Sequence, residues 1–430
     1  MKMSPPSTIS TGMLSRLDAL ATVSESRNGL TRRYLTAQHR EANDLVGDWM
    51  REAGMRVHQD AVGNIIGRYE GAREDASALL IGSHLDTVVM AGKYDGMLGV
   101  VTAIECVHDL HRRGIRMPFA IEVVGFADEE GVRFQSTYLG SRAIAGTFRQ
   151  ELLDARDADG MTMADALRAF GLDPGQIDTA AKRPEDVIGY LELHIEQGPV
   201  LESMDEPVGV VTAIAGATRS VVTLSGVAGH AGTVPMGNRQ DALLAAAECA
   251  LAVEVVATKR SHCVATVGRM EVGPGAPNVI PGSVTFSIDI RADEDAKRIK
   301  ALAELDAWLA EIADKRGCKL NVETVHEANS VTCAPWIVRQ IEAAIAVDDG
   351  RVVRLPSGAG HDAAAISDLT DVGMIFVRCA GGISHNPDET ITEADAAAGA
   401  KLLLRVIENF QAEDGSYSMD KNGSYSMDKT

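Results

Sequence analysis

The sequence predicts an α/β domain interrupted by a smaller α+β domain. Strand-length apolar runs at 78–82, 119–127 and 188–195, with a helical pattern at 100–113, set up a strand–helix–strand rhythm. A different texture begins near Ile214, where alternating strands and two long helices follow one another. Short αβ units then resume at Val352.

Taken in order, residues 12–56 carry a helical pattern. Leu35, Ala42, Leu45, Val46 and Trp49 share one face, with Thr36 as a cap and Gly54 as a terminator. Strands are expected at 56–60, 64–69 and 78–82. The last is apolar on both faces, as in a covered parallel sheet. After the helix at 100–113 come buried strands at 119–127 and 188–195. The second region reads as strand 219–227, helix 239–257, strands 263–270 and 284–291, helix 294–316 and strand 320–327. The expected domains are 1–211 plus 331–412 and an insert at 212–330. GSYSMDK occurs at 415–421 and again at 423–429, so 413–430 is expected to be a disordered tail.

A formal charge of -20, from 41 basic and 61 acidic residues, argues against a nucleic-acid partner. It leaves room for a small anion, because one local arginine can oppose the global field. The six cysteines form no CxxC pair and are expected as buried or half-buried thiols in a reducing compartment. The first residues lack an apolar signal core, and no run reaches the roughly 20 apolar residues that span a bilayer. A soluble, cytoplasmic protein without a membrane partner is expected.

Polar residues gather where strands should end, which is where open α/β sheets collect ligands. Strand 78–82 runs into Ser83-His84-Leu85-Asp86, and Asp95 follows between Gly92 and Gly96. Strand 119–127 runs into Asp128-Glu129-Glu130, strand 188–195 carries His194 before Glu196-Gln197, and His385 lies after Ile375–Cys379. Imidazole nitrogen with carboxylate oxygen suits zinc, manganese or cobalt, and one carboxylate can bridge two ions. Glu129 and Glu130 also fit two solvated loop acids. If they face one cavity, one can ligate while the other handles protons.

GSHLDTV, GKYDGMLGV, ADEEGVRF, LHIEQGPVLE, GHAGTVPMGNRQDA, PNVIPG, DIRAD, SGAGHDA and GGISHNP stand in this order across residues 15–410. In this the chain resembles the M20-type metallopeptidase superfamily. The resemblance is to its branch of allantoate amidohydrolases, N-carbamoyl-L-amino-acid hydrolases and β-ureidopropionases. It implies a zinc-peptidase-like catalytic domain with a mixed sheet and an inserted dimerisation or lid domain. It implies two divalent ions per subunit, Zn2+ or Mn2+ with Co2+ or Ni2+ as further options. Asp95 would bridge them, His84 and His194 would complete one site, and Glu130 and His385 the other. Glu129 would be the general base, and Asp86 would fix the His84 ring. His230 would polarise the scissile carbonyl across the interface of a homodimer. Gln197, Arg219, Asn278, Arg291 and His361 would contact substrate, with Arg291 on its carboxylate. The residues alone leave alternatives: Arg291 can pair structurally with Asp289, and His361 with Asp362.

The implied reaction is hydrolysis of a terminal ureido group, releasing ammonia and carbon dioxide. Allantoate is the first expectation, on the character of 29–55. N-carbamoyl-L-amino acids are the alternative, followed by β-ureidopropionate and then by dipeptides.

Overall fold

The computed structural model describes residues 8–347, 350–413, 418–419 and 425–426. Apart from Glu413 and the pairs Ser418–Met419 and Tyr425–Ser426, which form a short antiparallel ladder, the expected repeat tail lies outside the described residues.

The chain divides into two compact units, residues 1–212 with 333–355 and 361–430, and residues 213–332 with 356–360. The segment 356–360, which the sequence segmentation leaves in the larger domain, clusters with the smaller unit.

Four parallel strands form the middle of the larger unit, in the order Ala120–Phe126, Ala78–His84, Val187–Ile195 and Val372–Val377. Almost every residue in them is buried, as their unbroken apolar runs require. Antiparallel strands continue the sheet on both sides: Ile65–Tyr69 and then Arg56–Gln59 beyond Ala120–Phe126, and Val208–Ile214 beyond Val372–Val377. The parallel strands therefore release their C-terminal ends, with His84, Ala127 and Ile195, at one edge.

Helices Thr8–Ala21, Met97–Arg112 and Glu393–Glu408 pack together, and Met97–Arg112 also lies on the sheet. Thr36 caps helix Ala37–Glu52 by accepting from His39 N, as its residue type suggested. Leu35 stands outside that helix with φ 56°, so it does not join the predicted apolar stripe. Met97–Arg112 begins earlier than the sequence suggested, directly after Asp95 and Gly96. Gly99 lets this helix approach the sheet: an added Cβ would overlap the Leu193 carbonyl oxygen and crowd Ser83.

In the smaller unit a four-strand core runs Met270–Gly273, Ser283–Ala292, Gly216–Ser225, Lys319–Ala328, with Cys263–Thr266 also on Ser283–Ala292. Val284, Phe286, Ile288 and Ile290 are buried at every second position, against helices Ala242–Thr258 and Asp295–Arg316. Two corrections follow from side-chain hydrogen bonds. Asp241 accepts from Leu243 N and Leu244 N, so the first helix starts at Ala242 instead of Arg239. The expected strand 263–270 is two strands, because the Ser287 hydroxyl accepts Arg269 N at 3.1 Å where the ladder breaks.

Replacing Gly99 with alanine should push the helix from the sheet and cost about 1–3 kcal/mol. Urea denaturation checks this; an unchanged midpoint would show that the helix can retreat freely.

Candidate metal centre

His84 is the last residue of its strand, bonded into the parallel ladder opposite Phe126, and not beyond the strand end as the sequence suggested. The ladder fixes its backbone, and the turn that follows fixes its ring: Nδ1 lies 2.9 Å from Asp86 O and 3.7 Å from Asp86 Oδ1. His194 is held in the same way, with Nδ1 2.9 Å from Ile195 O. In both rings the engaged Nδ1 leaves Nε2 to face Asp95.

Asp95 is where the elements meet. Its Oδ1 lies 3.1 Å from His194 Nε2 and 3.6 Å from His84 Nε2. Its Oδ2 lies 3.1 Å from His385 Nε2, and that nitrogen is 3.6 Å from Glu130 Oε1. Gly96, at φ 75°, turns the chain directly into the following helix, and a Cβ there would strike the His84 ring. Glu389 Oε1 accepts the amides of Tyr94 at 2.8 Å and Asp95 at 3.1 Å, which holds the loop from beneath.

Asp86 joins two strand ends. Its carboxylate accepts Glu129 N at 2.9 Å and Glu130 N at 3.2 Å, while its backbone carbonyl holds the His84 ring, so one residue orients both the ring and the paired acids. Three groups bring ligand atoms within 4.8 Å of one another: His84, Asp95 and His194; His84, Glu129 and Glu130; and Asp95, Glu130 and His385. Glu130 belongs to two of these groups and Glu129 to one.

The charges pull against burial. Burial alone would raise the Asp95 carboxyl, yet hydrogen bonds from His194, His385 and His84 hold it well below the ordinary range. Burial lowers His84, but Asp95 and the neighbouring carboxylates raise it well above the usual imidazole value. Burial pushes Glu129 well up, with His84 opposing and Glu130 adding. Glu130 is raised to about 7, by burial first and by Asp95 against the opposing His84. A buried concentration of acids and imidazoles with Nε2 atoms converging on both oxygens of one carboxylate fits two divalent ions. This donor set of nitrogen and oxygen suits Zn2+, Mn2+, Co2+ or Ni2+.

The expected substrate residues fall in several places. Gln197 Nε2 donates to Asp95 Oδ2 at 3.2 Å and to Ser384 Oγ at 3.1 Å, so it braces the carboxylate itself. His361 is buried, with its ring edge-on to His194 at 4.5 Å between centroids. Burial and His194 hold its pKa well down, which favours a neutral packed ring. In the smaller unit Asp289 faces Arg219 across the ladder. It takes Arg291 in a fork of 2.9 and 3.0 Å and Arg219 Nε at 3.0 Å. Arg291 Nη1 also donates to Gly358 O at 2.8 Å. The structural pair of Arg291 and Asp289 is thus present, and it holds two guanidinium groups around one carboxylate. His230 pairs with Val279 in a two-residue ladder beside Asn278, whose carbonyl accepts Ala231 N at 3.0 Å; both are exposed.

Ser384 and Glu389 escaped the sequence reading. Ser384 Oγ donates to Glu389 Oε2 at 2.9 Å, which ties the His385 loop to the Asp95 loop. Nothing local in the sequence marks Glu389, whose amide partners Tyr94 and Asp95 lie nearly 300 residues away in the chain.

Residues 80–409 match peptidase family M20/M25/M40. Allantoate deiminase 1 of Glycine max is 42% identical over 428 residues, covering 92% of this chain and 88% of that protein. The N-carbamoyl-L-amino acid amidohydrolase of Geobacillus stearothermophilus is 42% identical over 379 residues, covering 88% and 93%. A solved amidase of the hydantoinase/carbamoylase family from Burkholderia multivorans superposes with a TM-score of 0.87 at 34% identity, over 93% of this chain and 97% of that one. The α/β catalytic unit with a mixed sheet and the smaller α+β unit are the architecture of these relatives. With its strand-end imidazoles and shared carboxylate, the chain belongs to the M20 peptidase superfamily, in the hydantoinase/carbamoylase branch, and is a metal-dependent amidohydrolase.

Proposed function

We propose that this protein hydrolyses the terminal ureido C–N bond of allantoate, releasing ammonia and carbon dioxide. The observation that carries the reading is Asp95, whose two carboxylate oxygens face different imidazoles while Glu129 and Glu130 stand in the same cluster. Two ions held by His84, His194, Asp95, Glu130 and His385 would acidify a water and polarise the ureido carbonyl. Glu129 takes a proton from the attacking water and returns it to the departing nitrogen. Ammonia leaves, and the carbamate that remains loses carbon dioxide. A raised carboxyl pKa suits both halves of that transfer near neutral pH, and bound cations would favour the ionised form needed at the start.

The smaller unit contributes by the same reading. From it Arg291 grips the substrate carboxylate, with Arg219 and Asn278 as further contacts, and the larger unit adds Gln197 and His361. Guanidinium presents the planar fork that a carboxylate matches. His230 polarises the scissile carbonyl from the partner subunit of a homodimer. Among the described residues no helix is long and apolar enough to cross a membrane, and a small soluble ureido acid is the proposed substrate. N-carbamoyl-L-amino acids are the second reading, supported by the Geobacillus relative at 42% identity. They offer the same carboxylate-plus-ureido layout without a second polar arm.

Ammonia release measured side by side on allantoate, N-carbamoyl-L-amino acids and 3-ureidopropionate, with Mn2+ and Zn2+ each tested, decides between the substrates. Preference for a carbamoyl amino acid would replace allantoate with the second reading, and activity confined to dipeptides would overturn both. Glu129→Gln should lower kcat at least about 1000-fold while the metal content stays unchanged. Loss of an ion in that variant would make Glu129 a ligand. Arg291→Lys should reduce kcat/KM about 30-fold, through weaker substrate capture; an unaltered value would remove the clamp.

Metal uptake should also depend on pH with a definite sign. His84, His194 and His385 have raised pKa values, and Glu130 is raised to about 7, so protons compete for the ligand atoms. Affinity for Zn2+ should therefore fall as pH drops below about 7, by up to ~10-fold per pH unit for each proton displaced. Calorimetry in buffers of different ionisation enthalpy counts those protons. Uptake with no proton release at pH 6 would contradict the assignment.

A further inference from the structure

Arg32 is completely buried, yet its hydrogen bonds run to backbone carbonyls and not to a carboxylate. Nε donates to Leu85 O at 2.7 Å, while Nη1 donates to Leu20 O at 3.0 Å and Val23 O at 2.8 Å. Its backbone is tied to the same turn: Arg32 N donates to Thr87 Oγ1 at 2.9 Å, and Thr87 N donates to Arg32 O at 3.0 Å. The turn so gripped, 85–87, contains Asp86 and follows directly on His84.

Burying a guanidinium costs several kcal/mol unless its surroundings repay it. One return is structural, since Leu20 and Val23 lie at and just past the end of helix Thr8–Ala21, where carbonyls attract a cation. That return does not account for the grip on Leu85 and Thr87. Neighbouring residues continue the pattern. Met90 N donates to Thr31 Oγ1 at 3.0 Å, Ala91 N to Leu30 O at 2.8 Å, and Arg133 Nη1 to the carbonyls of Tyr34 at 2.9 Å and Leu35 at 3.0 Å. Residues 30–35 thus strap the turn bearing His84 and Asp86 to the loop that follows Glu129 and Glu130. Burial draws the Arg32 guanidinium down to about 10, and Asp86 is the charge that opposes this.

We propose that Arg32 is a positioning residue of the metal centre, a buried cation that sets the 85–87 turn and through it the placement of His84 and Asp86. The inference rests on the di-metal reading above. It predicts that losing Arg32 weakens metal binding beyond what loss of stability explains. The test compares wild type with Arg32→Met, Arg32→Lys and Arg298→Met. Arg298 is a second buried arginine, in the smaller unit, bonded to Asp295 and Glu327.

Zn2+ affinity is measured by competition with a chromophoric chelator, and the melting temperature of each metal-free protein is recorded. Arg32→Met should weaken Zn2+ about 10–100-fold, the range seen when groups that orient ligands are removed. Arg32→Lys keeps the charge but not the fork, and should recover part of that loss. Arg298→Met should lower the melting temperature with Zn2+ affinity within about twofold of wild type, because no ligand lies in its unit. Wild-type affinity in Arg32→Met, or equal weakening in Arg298→Met, overturns the proposal. If Arg32→Met does not fold, unchanged affinity in Arg32→Lys overturns it and a loss of about fivefold or more sustains it. A wild-type protein that takes up no ion overturns the metal centre itself and this role with it.

Discussion

One buried carboxylate organises the catalytic unit. Asp95 faces three imidazoles that come from two different strands and a late loop, and burial makes that position costly unless it is matched by positive charge. Much of the surrounding chain can be understood as keeping it there. Glu389 takes the amides of Tyr94 and Asp95, Ser384 ties Glu389 to the loop of His385, and Gln197 donates to Oδ2. The left-handed turn at Gly96 aims the chain into a helix that Gly99 allows to sit tightly on the sheet. Loop, helix and sheet are thus coupled through side chains far apart in sequence.

The parallel sheet explains why these groups meet at one edge. Strands with the same direction release their C-terminal ends together, so His84, the acids after Phe126, and His194 arrive on neighbouring strands without any long loop. The arrangement gathers acids as well. Asp128 is raised by burial and by Asp86, Glu192 by burial, and Asp362 by burial and by Glu192. Glu192 is met by Ser83 Oγ at 2.9 Å, Tyr190 OH at 3.1 Å and Ala363 N at 2.9 Å, a hydrogen-bonded floor beneath the imidazoles. So much buried acid favours protonation until cations arrive, so metal binding, proton release and stability are linked.

The legible part of this was the part written locally. Apolar runs marked the parallel strands because both of their faces are covered, and the alternation at 284–290 marked a strand with one buried face. Histidines and acids at strand ends stood out because their position followed from the same runs. The obscure part depends on contacts between distant segments. Glu389 and Arg32 carry no mark in the sequence, and the role of Arg32 shows only when Leu85 and Thr87 are placed beside it. Gln197 meets Asp95 and the His361 ring meets His194, contacts of depth that a linear pattern does not carry. Leu35 matched the helical stripe by spacing, but its φ of 56° places it in the turn before the cap, where Tyr34 and Leu35 carbonyls receive Arg133.

The pairing of Arg291 with Asp289 shows how one carboxylate orders two guanidinium groups. Asp289 uses both oxygens on Arg291 and shares one with Arg219. Its own carboxyl is consequently held below the ordinary range, burial being outweighed by the two guanidinium groups. Two guanidinium groups around one carboxylate leave that cluster with one excess positive charge, in a chain whose overall charge is -20. A long arginine side chain left to itself would lose rotamer entropy on meeting a ligand. One already anchored by a carboxylate and by the Gly358 carbonyl has lost much of it in folding. Asp289 is therefore the group that fixes the orientation of Arg291, the arginine proposed above as the clamp on the substrate carboxylate.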